Sequence, residues 1–435
     1  MILFGKGDTE RTFSFEETQI YFREALSRHN WRKKKVLGII PDNTRTAPVR
    51  IFFEAALSVI KPEAKRLDFL IALGTHPPMT DEELKAHLGV TFREAKNQGV
   101  TVYNHLFQNP QELVHVGTIP REEMQIISRG LIAEDVPVTV NRHILEYDEL
   151  LIMGPVFPHE VVGFSGGDKY FFPGISGPEL TDKFHWLAAL ITNPKVIGIK
   201  DTPVREVLDK AATFIPKPSL ALCLVMKGKE PCGIFFGDPK ESWSKAADLS
   251  AQVNIIYVDQ PFHTVLSVAP EMYNELWVGG KCMYKLEPVV ADGGKIIIYA
   301  PHIREISKTH GKYLLEIGYH TRDFFLAQWE KYKHYPWGVL AHSTHVKGIG
   351  KYVNGKEYPR IEVILATGIP EDICRKVNLG YLDFRTINLK EYIHREDEGI
   401  LFVPRAGETL YRLKDGTVPD IDKLTIPNSS IERPM

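Results

Sequence analysis

Short apolar runs alternate with amphipathic helical patterns along the first half of the chain, and this alternation limits the fold more than any other sequence feature. Three of the runs read as buried strands: VLGII at 36–40, LDFLIAL at 67–73 and ELLIMG at 149–154. Strands separated by helices are typical of an α/β layered domain. A chain of 435 residues has room for two or three such domains.

Local signals place the helices between these strands. A capping box at 14–17 begins a helix that runs towards Ser27, and a second helix begins near Pro48. Another capping box at 80–83 begins a helix that Gly89 ends. These signals predict the order strand, helix, strand and helix.

Each of the three predicted strands is followed by polar or ionisable residues. The segments are Asp42–Arg45, Gly74-Thr75-His76 and Pro155–His159. In open α/β sheets, ligands bind in the crevice outside the carboxyl ends of the strands. One such segment alone is more typical of a helix cap or turn, but three together favour a ligand site.

A second α/β unit is predicted after Gln260-Pro261. We therefore expect a first domain over 1–260, joined by the C-terminal segment 400–435, and a second domain over 261–399. The strands of the second domain are predicted at 264–269, 295–300 and 360–367.

Charge and cysteine usage narrow the class of protein. The formal net charge is −2, which gives no electrostatic footprint for nucleic acid or an anionic membrane. The four cysteines form no CxxC pair and fit a reducing cytoplasm. Apolar runs are far shorter than a membrane span, and no signal peptide is evident. We expect a cytoplasmic protein without nucleic-acid or membrane partners.

The segment His159–Lys169, with the sequence HEVVGFSGGDK, is the most informative stretch of the chain. Its glycines, serine and lysine can form a backbone nest for an anion. It is neither a Walker A loop, because Asp168 stands where the second glycine is required, nor a zinc-protease helix, because Gly163 stands where the second histidine is required. The alternative is a glycine-rich surface loop with a solvated lysine.

His185 follows, on a segment that reads as the first turns of an apolar helix. A lone histidine among apolar neighbours is more often a hydrogen-bonded core residue than a metal ligand. A neutral imidazole is nevertheless a good ligand for nickel, zinc, copper or iron.

These motifs together resemble those of the nickel-dependent lactate racemase family. The resemblance consists of D-x-[ST]-R at Asp42–Arg45, G-T-H at 74–76 and the block H-x3-GFSGG-x-K-x3-PG that begins at His159. The spacings from His159 to Lys169 and from His159 to His185 follow the family pattern. The resemblance extends over roughly the whole chain and is strongest between about 36 and 190.

The resemblance implies a cofactor and a set of roles. The cofactor is a nickel-pincer nucleotide, Ni(II)-pyridinium-3,5-bisthiocarboxylate mononucleotide, which Lys169 would hold covalently and whose nickel His185 would bind. His76 and His159 would be the acid/base pair. Enzymes of cofactor synthesis would be partners. The cofactor site would be lined by Asp42, Asn43, Thr44 and Arg45.

The implied reaction is inversion at C2 of a 2-hydroxy acid by proton-coupled hydride transfer. The α-hydrogen is weakly acidic because the carboxylate already carries negative charge, so hydride removal avoids a carbanion. A histidine suits the proton step, and an arginine fork suits the carboxylate. We expect two α/β domains with the active site in the interdomain cleft.

The second domain departs from the family's Tyr-Gln-x-x-Lys element. The corresponding residues are Tyr284, Lys285 and Pro288, so the glutamine and lysine contacts to substrate are both replaced. Lys285 either supplies the lost charge or is an exposed lysine before a turn, and Trp337 either forms an apolar wall or is structural. The expected substrate contacts are Arg45, Tyr284, Lys285 and Trp337. The replacement of these two contacts favours a sugar acid (an aldonate) or another 2-hydroxy acid over lactate as the substrate. A branched or aromatic 2-hydroxy acid is a further possible substrate.

Two other functions are possible from the residues alone. One is a metal-dependent hydrolase using His342 and His345, although these two residues could equally be polar loop residues. The other is a non-catalytic nickel- or nucleotide-binding protein, in which His76 and His159 would have no proton to move.

Overall fold

A computed structural model describes residues 1–425 and divides the chain into two compact units, each a mixed α/β structure. Unit 1 comprises Met1–Phe184 and Gly198–Asn254. Unit 2 comprises His185–Ile197 and everything described from Ile255 onward. Two α/β domains were expected from the alternating pattern, and this fold class is confirmed.

Unit 1 is built on a seven-stranded sheet with the strand order β1-β11-β10-β7-β2-β3-β4. The five strands from β10 to β4 in this order run parallel, whereas β11 is antiparallel to both of its neighbours. The strands of unit 1 are β1 (Ile2–Gly7), β2 (Lys35–Pro41), β3 (Arg66–Ala72), β4 (Val102–Asn104), β5 (Leu113–Ile119), β6 (Val136–Asn141), β7 (Glu149–Pro155), β8 (Pro158–His159), β9 (Gly163–Phe164), β10 (Ser219–Lys227) and β11 (Glu230–Gly237).

The helices of unit 1 begin where the sequence signals predict. The two predicted capping boxes are present, at Ser14 and at Thr80, and Gly89 ends its helix in the left-handed conformation. The helices are α1 (Phe15–Ser27), α2 (Val49–Val59), α3 (Asp81–Leu88), α4 (Phe92–Asn97), α5 (Arg121–Ile127), α7 (Pro203–Ala212) and α8 (Pro239–Val253), together with the first half of α6 (Pro178–Ile191), whose residues from His185 onward belong to unit 2.

The three strands predicted to end in polar residues are adjacent in the sheet. Strand β2 lies between β7 and β3, and Pro41 at its end is paired with Ala72 at the end of β3. Their apolar side chains pack against helices α1 and α2 in a core that includes Phe22, Phe52 and Phe69. Burying each such ring contributes about 1.5–3 kcal/mol to stability. The sheet therefore brings the three polar segments to one edge.

Unit 2 contains a five-stranded, all-parallel sheet with the strand order β18-β17-β14-β13-β19. Its strands are β12 (Ile255–Val258), β13 (Phe262–Val268), β14 (Val290–Ala300), β15 (Gly350–Val353), β16 (Lys356–Pro359), β17 (Glu362–Thr367), β18 (Gly380–Tyr381), β19 (Ile400–Val403) and β20 (Leu410–Leu413). Its helices are α9 (Leu276–Gly279), α10 (Lys281–Tyr284), α11 (Gly311–Ile317), α12 (Arg322–Ala327), α13 (Trp329–Tyr332), α14 (Trp337–Lys347) and α15 (Glu371–Lys376).

The domain boundaries differ from those expected from the sequence. The segment 400–435 was expected to join the first domain, but β19 pairs with β13 and β20 pairs with β12, both in unit 2. Residues 426–435 of that segment lie outside the described residues. The segment 185–197 also belongs to unit 2 rather than to the first domain. Backbone pairing between distant strands, which has no local sequence signal, decides these assignments.

Within residues 1–425, no helix combines the length and the apolar character that crossing a bilayer requires.

Candidate active site

Asp42 follows strand β2 directly and binds His76, which follows strand β3. Oδ2 of Asp42 lies 2.5 Å from Nδ1 of His76, and Oδ1 accepts hydrogen bonds from the amide (3.1 Å) and hydroxyl (2.6 Å) of Thr44. Burial opposes the charged form of Asp42, but His76, Arg45 and Thr44 outweigh it and hold the pKa of this carboxyl well below its ordinary value. Asp42 is therefore a carboxylate. Because a carboxylate can only accept hydrogen bonds, the hydrogen of this bond is carried by Nδ1 of His76.

Arg45 and Asn43 complete the first polar segment. Arg45 donates to the hydroxyl of Thr44 at 2.8 Å, so its guanidinium is oriented through the same side chain that binds Asp42. Asn43 is exposed. The segment expected to line the cofactor site thus contains a hydrogen-bonded chain from Arg45 through Thr44 and Asp42 to His76.

His159 lies on the short hairpin of β8 and β9 that follows β7. The amide of Val161 donates to its Nδ1 at 3.1 Å, and a carboxylate oxygen of Glu160 lies 3.4 Å from the same atom. Because Nδ1 accepts the amide hydrogen, the neutral ring carries its proton on Nε2. His76 and His159 are therefore opposite tautomers when both are neutral.

Lys169 ends the glycine-rich segment and lies at the wall of a small cavity. Burial lowers the pKa of its amine to about 7, with Arg45 and Arg205 lowering it further and Glu160 and Asp42 opposing this. A large fraction of this amine is consequently neutral, and so nucleophilic, near pH 7. The cavity is lined by Pro41, Asp42, Arg45, Ala72, Pro155, Ser165, Gly166, Lys169, Tyr170 and Gly174.

The alternative interpretation of this segment as a surface loop with a solvated lysine is wrong. Gly163, Gly166 and Gly167 all adopt positive φ, and the turn that begins after Gly166 carries Lys169 to the cavity. Tyr170, which the sequence analysis did not single out, packs so closely against β7 that its hydroxyl would be 1.9 Å from a Cβ placed on Gly154. A glycine within an otherwise bulky strand is the signal that indicates such a close approach.

Four predicted site residues belong to unit 2. His185 is half-buried and occupies the middle of α6 rather than its first turns. Its neighbour Trp186 stacks on Trp329 at 5.3 Å between ring centroids, and Trp329 in turn contacts Trp337 edge-on at 5.1 Å. The carbonyl of Tyr284 accepts a hydrogen bond from Asn193, which follows α6. Unit 2 thus connects the helix of His185 with Trp337 and Tyr284.

Lys285 is not the exposed lysine that one interpretation expected. It is 3% exposed, and its ammonium donates to the carbonyl of Glu408 at 2.6 Å. A substrate contact by Lys285 stays a prediction, and it requires this hydrogen bond to be shared or broken.

The two histidines considered for a hydrolase lie on α14, not in a polar loop. His342 is 8% exposed and His345 is 4% exposed. Burial lowers the pKa of His345 to about 3, and burial together with neighbouring imidazoles lowers that of His342 well below its ordinary value. Among the described residues, no group of three or more His, Cys, Asp or Glu side chains is arranged to hold a metal ion.

Part of the chain matches a family of known proteins. Residues 23–197 match the family described as the lactate racemase N-terminal domain. The lactate racemase of Thermoanaerobacterium thermosaccharolyticum is 26% identical over 288 residues, which are 64% of this chain and 62% of that protein. The lactate racemase of Lactiplantibacillus plantarum is 24% identical over 62% of this chain and 60% of that protein. The chain thus spans about three fifths of the length of these curated relatives.

Solved structures extend the similarity along the chain. A Thermotoga maritima protein with a crystal structure is 35% identical, covers 94% of this chain and 100% of its own, and superposes with a TM-score of 0.85. The lactate racemase apoprotein from T. thermosaccharolyticum shares the fold, with a TM-score of 0.69, 20% identity and coverage of 91% of this chain and 92% of its own. Residues 23–197 thus belong to the lactate racemase N-terminal domain family, and 91% of the chain shares the fold of the lactate racemase apoprotein. The resemblance inferred from the sequence motifs is confirmed.

Proposed function

We propose that this protein is a racemase or epimerase that inverts C2 of a 2-hydroxy acid. The observation that carries the proposal is the composition of one cavity in unit 1. There Lys169, an amine that is partly neutral near pH 7, shares the wall with Arg45 and with Asp42, which is paired to His76. An anchor for a cofactor, a carboxylate-binding cation and an oriented acid/base group are the three elements that the reaction needs.

The residues of this cavity fit a nickel-pincer nucleotide. Arg45 offers a cation for its phosphate or for a substrate carboxylate, and a partly neutral Lys169 suits a thioamide bond. His185 would be the protein ligand of the nickel. When bound, the group would supply an acceptor for the C2 hydrogen as hydride.

The protein's own residues would move the hydroxyl proton. With Nδ1–H held by Asp42, His76 presents an unprotonated Nε2, which can take the proton from the C2 hydroxyl. His159 begins with its proton on Nε2, so it can give up that proton only after Nδ1 gains one. Glu160, 3.4 Å from that Nδ1, is the nearby group that would stabilise the doubly protonated ring. The two histidines would therefore enter the reaction in different forms.

We favour a sugar acid, such as an aldonate, or another 2-hydroxy acid over lactate. The proposal rests on the replacement of the family's glutamine and lysine by Lys285 and Pro288. Pro288 has no N–H and lies buried in a short 3₁₀ turn, so it cannot replace the charge of a lysine. Arg45 remains as the expected cationic contact for the substrate carboxylate.

The mass of the intact protein tests the cofactor. The protein is co-produced with the cofactor-synthesis enzymes and nickel, beside a Lys169→Ala variant and a known lactate racemase as a loading control. A mass increase equal to the nucleotide in the wild type alone is expected. An unmodified wild type beside a loaded control would overturn the covalent attachment.

Turnover of enantiopure substrates then tests the reaction. The loaded protein is given lactate, aldonates and aromatic 2-hydroxy acids, and inversion at C2 is followed by chiral chromatography. Inversion of at least one, abolished by His76→Ala and His159→Ala with the cofactor retained, is expected. Retention of cofactor without any turnover would favour the non-catalytic carrier.

A further inference from the structure

Arg205 is a buried cation that the proposed reaction does not use. It lies on α7, is 4% exposed, and donates one hydrogen bond to the carbonyl of Phe164. Asp209 and Asp168 act on it electrostatically, but among the described residues neither forms an ion pair with its guanidinium, and its Nε is buried without a hydrogen-bond partner. Holding an incompletely paired charge in a protein interior costs several kcal/mol. Such a residue calls for a function that offsets the cost.

The position of Arg205 suggests what that function is. Its guanidinium lies 3.9 Å from the ring centroid of Trp243, which extends from α8. The indole Nε1–H of Trp243 donates to the carbonyl of Ser165 at 3.0 Å. Arg205 and Trp243, stacked on each other, thus bind two successive carbonyls of the segment 163–169, which we name the lysine loop.

In addition to this hydrogen bond, Trp243 packs directly against the backbone of the lysine loop. A Cβ placed on Gly167 would lie 2.8 Å from Cβ of Trp243, so the loop backbone touches the tryptophan closely. On its other side the loop is tied to the end of β7 by Ser165, whose hydroxyl donates to the carbonyl of Pro155 at 3.0 Å. The loop is therefore fixed from both sides just before Lys169.

We propose that Arg205 and Trp243 are positioning residues that fix the backbone of the lysine loop and thereby hold the amine of Lys169 at the cavity wall. Phe164 and Ser165 are the points of attachment. A planar guanidinium suits this role because it can donate in its plane while its face stacks on an indole. A lysine would keep the charge, but its ammonium group has no planar face to stack on the indole while it donates to a carbonyl.

The charge of Arg205 has a second consequence for Lys169. The charged groups that act on this amine are Arg45 and Arg205, which lower its pKa, and Glu160 and Asp42, which raise it. Burial lowers the pKa of Arg205 itself only to about 10, so Arg205 stays charged at neutral pH. Removing this cation is expected to raise the pKa of Lys169, a change that a merely structural role would not produce.

Reactivity of Lys169 in the cofactor-free protein tests the proposal. Trace labelling with acetic anhydride between about pH 5 and 11.5, with peptide mass spectrometry, gives the pH midpoint of Lys169 acetylation. We expect a midpoint near pH 7 in the wild type. In Arg205→Met the midpoint should rise by about half a pH unit or more. The matched control is Lys210→Met, which removes a cation from the same helix where it pairs with Glu123, and it should leave the midpoint unchanged.

A second measurement keeps the test decisive if Arg205→Met does not fold. Hydrogen exchange is compared between the wild type, Arg205→Lys and Trp243→Phe, with Trp31→Phe as a control because the Trp31 indole donates to Leu26, outside the loop. Faster exchange at the amides of 165–169 is expected in Arg205→Lys and Trp243→Phe but not in Trp31→Phe. Unchanged exchange in both would overturn the positioning role.

The inference rests on the proposed function of Lys169, and the outcomes separate the two. A wild-type midpoint near that of an ordinary lysine, about 10.4, would count against the reactive amine itself. A midpoint near pH 7 that stays the same in Arg205→Met would refute only the effect assigned to Arg205.

Discussion

Asp42 and His76 are joined by a 2.5 Å hydrogen bond although 34 positions separate them in the chain. Their meeting follows from the sheet, because Asp42 follows β2, His76 follows β3, and the two strands end in register. The carboxylate fixes the proton of His76 on Nδ1 and leaves Nε2 as the basic atom. This pair is the oriented acid/base element of the candidate site.

Replacing Asp42 by Asn should lower turnover while the cofactor is still bound. An amide carries no charge to stabilise the protonated imidazole, and hydrogen bonds to charged groups contribute about 1.5–3 kcal/mol. We expect a fall in kcat of roughly 10- to 100-fold. The measurement is kcat against pH for the loaded enzyme, with cofactor content determined by mass. Wild-type kcat in Asp42→Asn would show that His76 does not need this carboxylate.

Asp42 should also make the stability of the fold depend on pH in the acid range. Its folded pKa lies below the ordinary value of 3.8, so its contribution is fully present above that value and is lost as the pH falls through the folded pKa. The difference in unfolding free energy between the wild type and Asp42→Asn should therefore shrink as the pH is lowered from 7 to 3. Urea titrations at each pH measure it. A constant difference would contradict the depressed pKa.

The two histidines should show opposite tautomers in the cofactor-free protein. When each ring is neutral, at alkaline pH, His76 should carry its proton on Nδ1 and His159 on Nε2. Nitrogen-15 spectra of histidine-labelled protein distinguish the two forms, with assignment by His76→Gln and His159→Gln. The same tautomer at both positions would contradict the different roles proposed for them.

A methyl group at Gly154 should disturb the cavity. In Gly154→Ala the new Cβ would meet the hydroxyl of Tyr170 at 1.9 Å and its ring at 2.0 Å, so the ring or the strand must move. Overpacking of this kind costs about 1–3 kcal/mol of unfolding free energy. The matched control is Gly311→Ala, where a Cβ would meet nothing within 4 Å and the backbone adopts no positive φ. Equal stability of the two variants by urea unfolding would show that Tyr170 is not tightly packed.

Thr192 should be a site where glycine increases stability. It is 3% exposed and adopts φ +84°, which is strained for a β-branched residue, and its buried hydroxyl has no partner among the described residues. We expect Thr192→Gly to gain about 1 kcal/mol in unfolding free energy, measured by urea titration. A loss instead would indicate that the hydroxyl is bonded, for example by water in the small cavity that Thr192 shares with Asn193 and His345.

Local signals predicted much of the fold. The capping boxes at Ser14 and Thr80 and the buried strands at 36–40, 67–73 and 149–154 need only short-range pattern, and all were present. Strands β10 and β11 were not predicted. The run LALCLVM at 220–226 is continuously apolar, so its periodicity cannot separate a buried strand from a buried helix.

Contacts that depend on distant pairing could not be predicted in the same way. That the polar strand ends would gather was predicted, but the bond between Asp42 and His76 was not, because it depends on the register of β2 and β3. Arg205 and Trp243 had no sequence signal, since an arginine in a helix is ordinary until its burial is known. Residues 400–413 belong to unit 2 because β19 and β20 pair with strands that lie more than 130 positions earlier in the chain.

The parallel strands of unit 1 have a consequence for how such a protein can change over evolutionary time. The candidate chemical groups of this unit stand in the segments that follow β2, β3 and β7, while the side chains within those strands form the apolar core. Insertions and substitutions in connecting segments are tolerated far better than changes in a packed interior. A lineage could therefore acquire a new substrate by altering the connections and leave the sheet, with most of the folding stability, as it was.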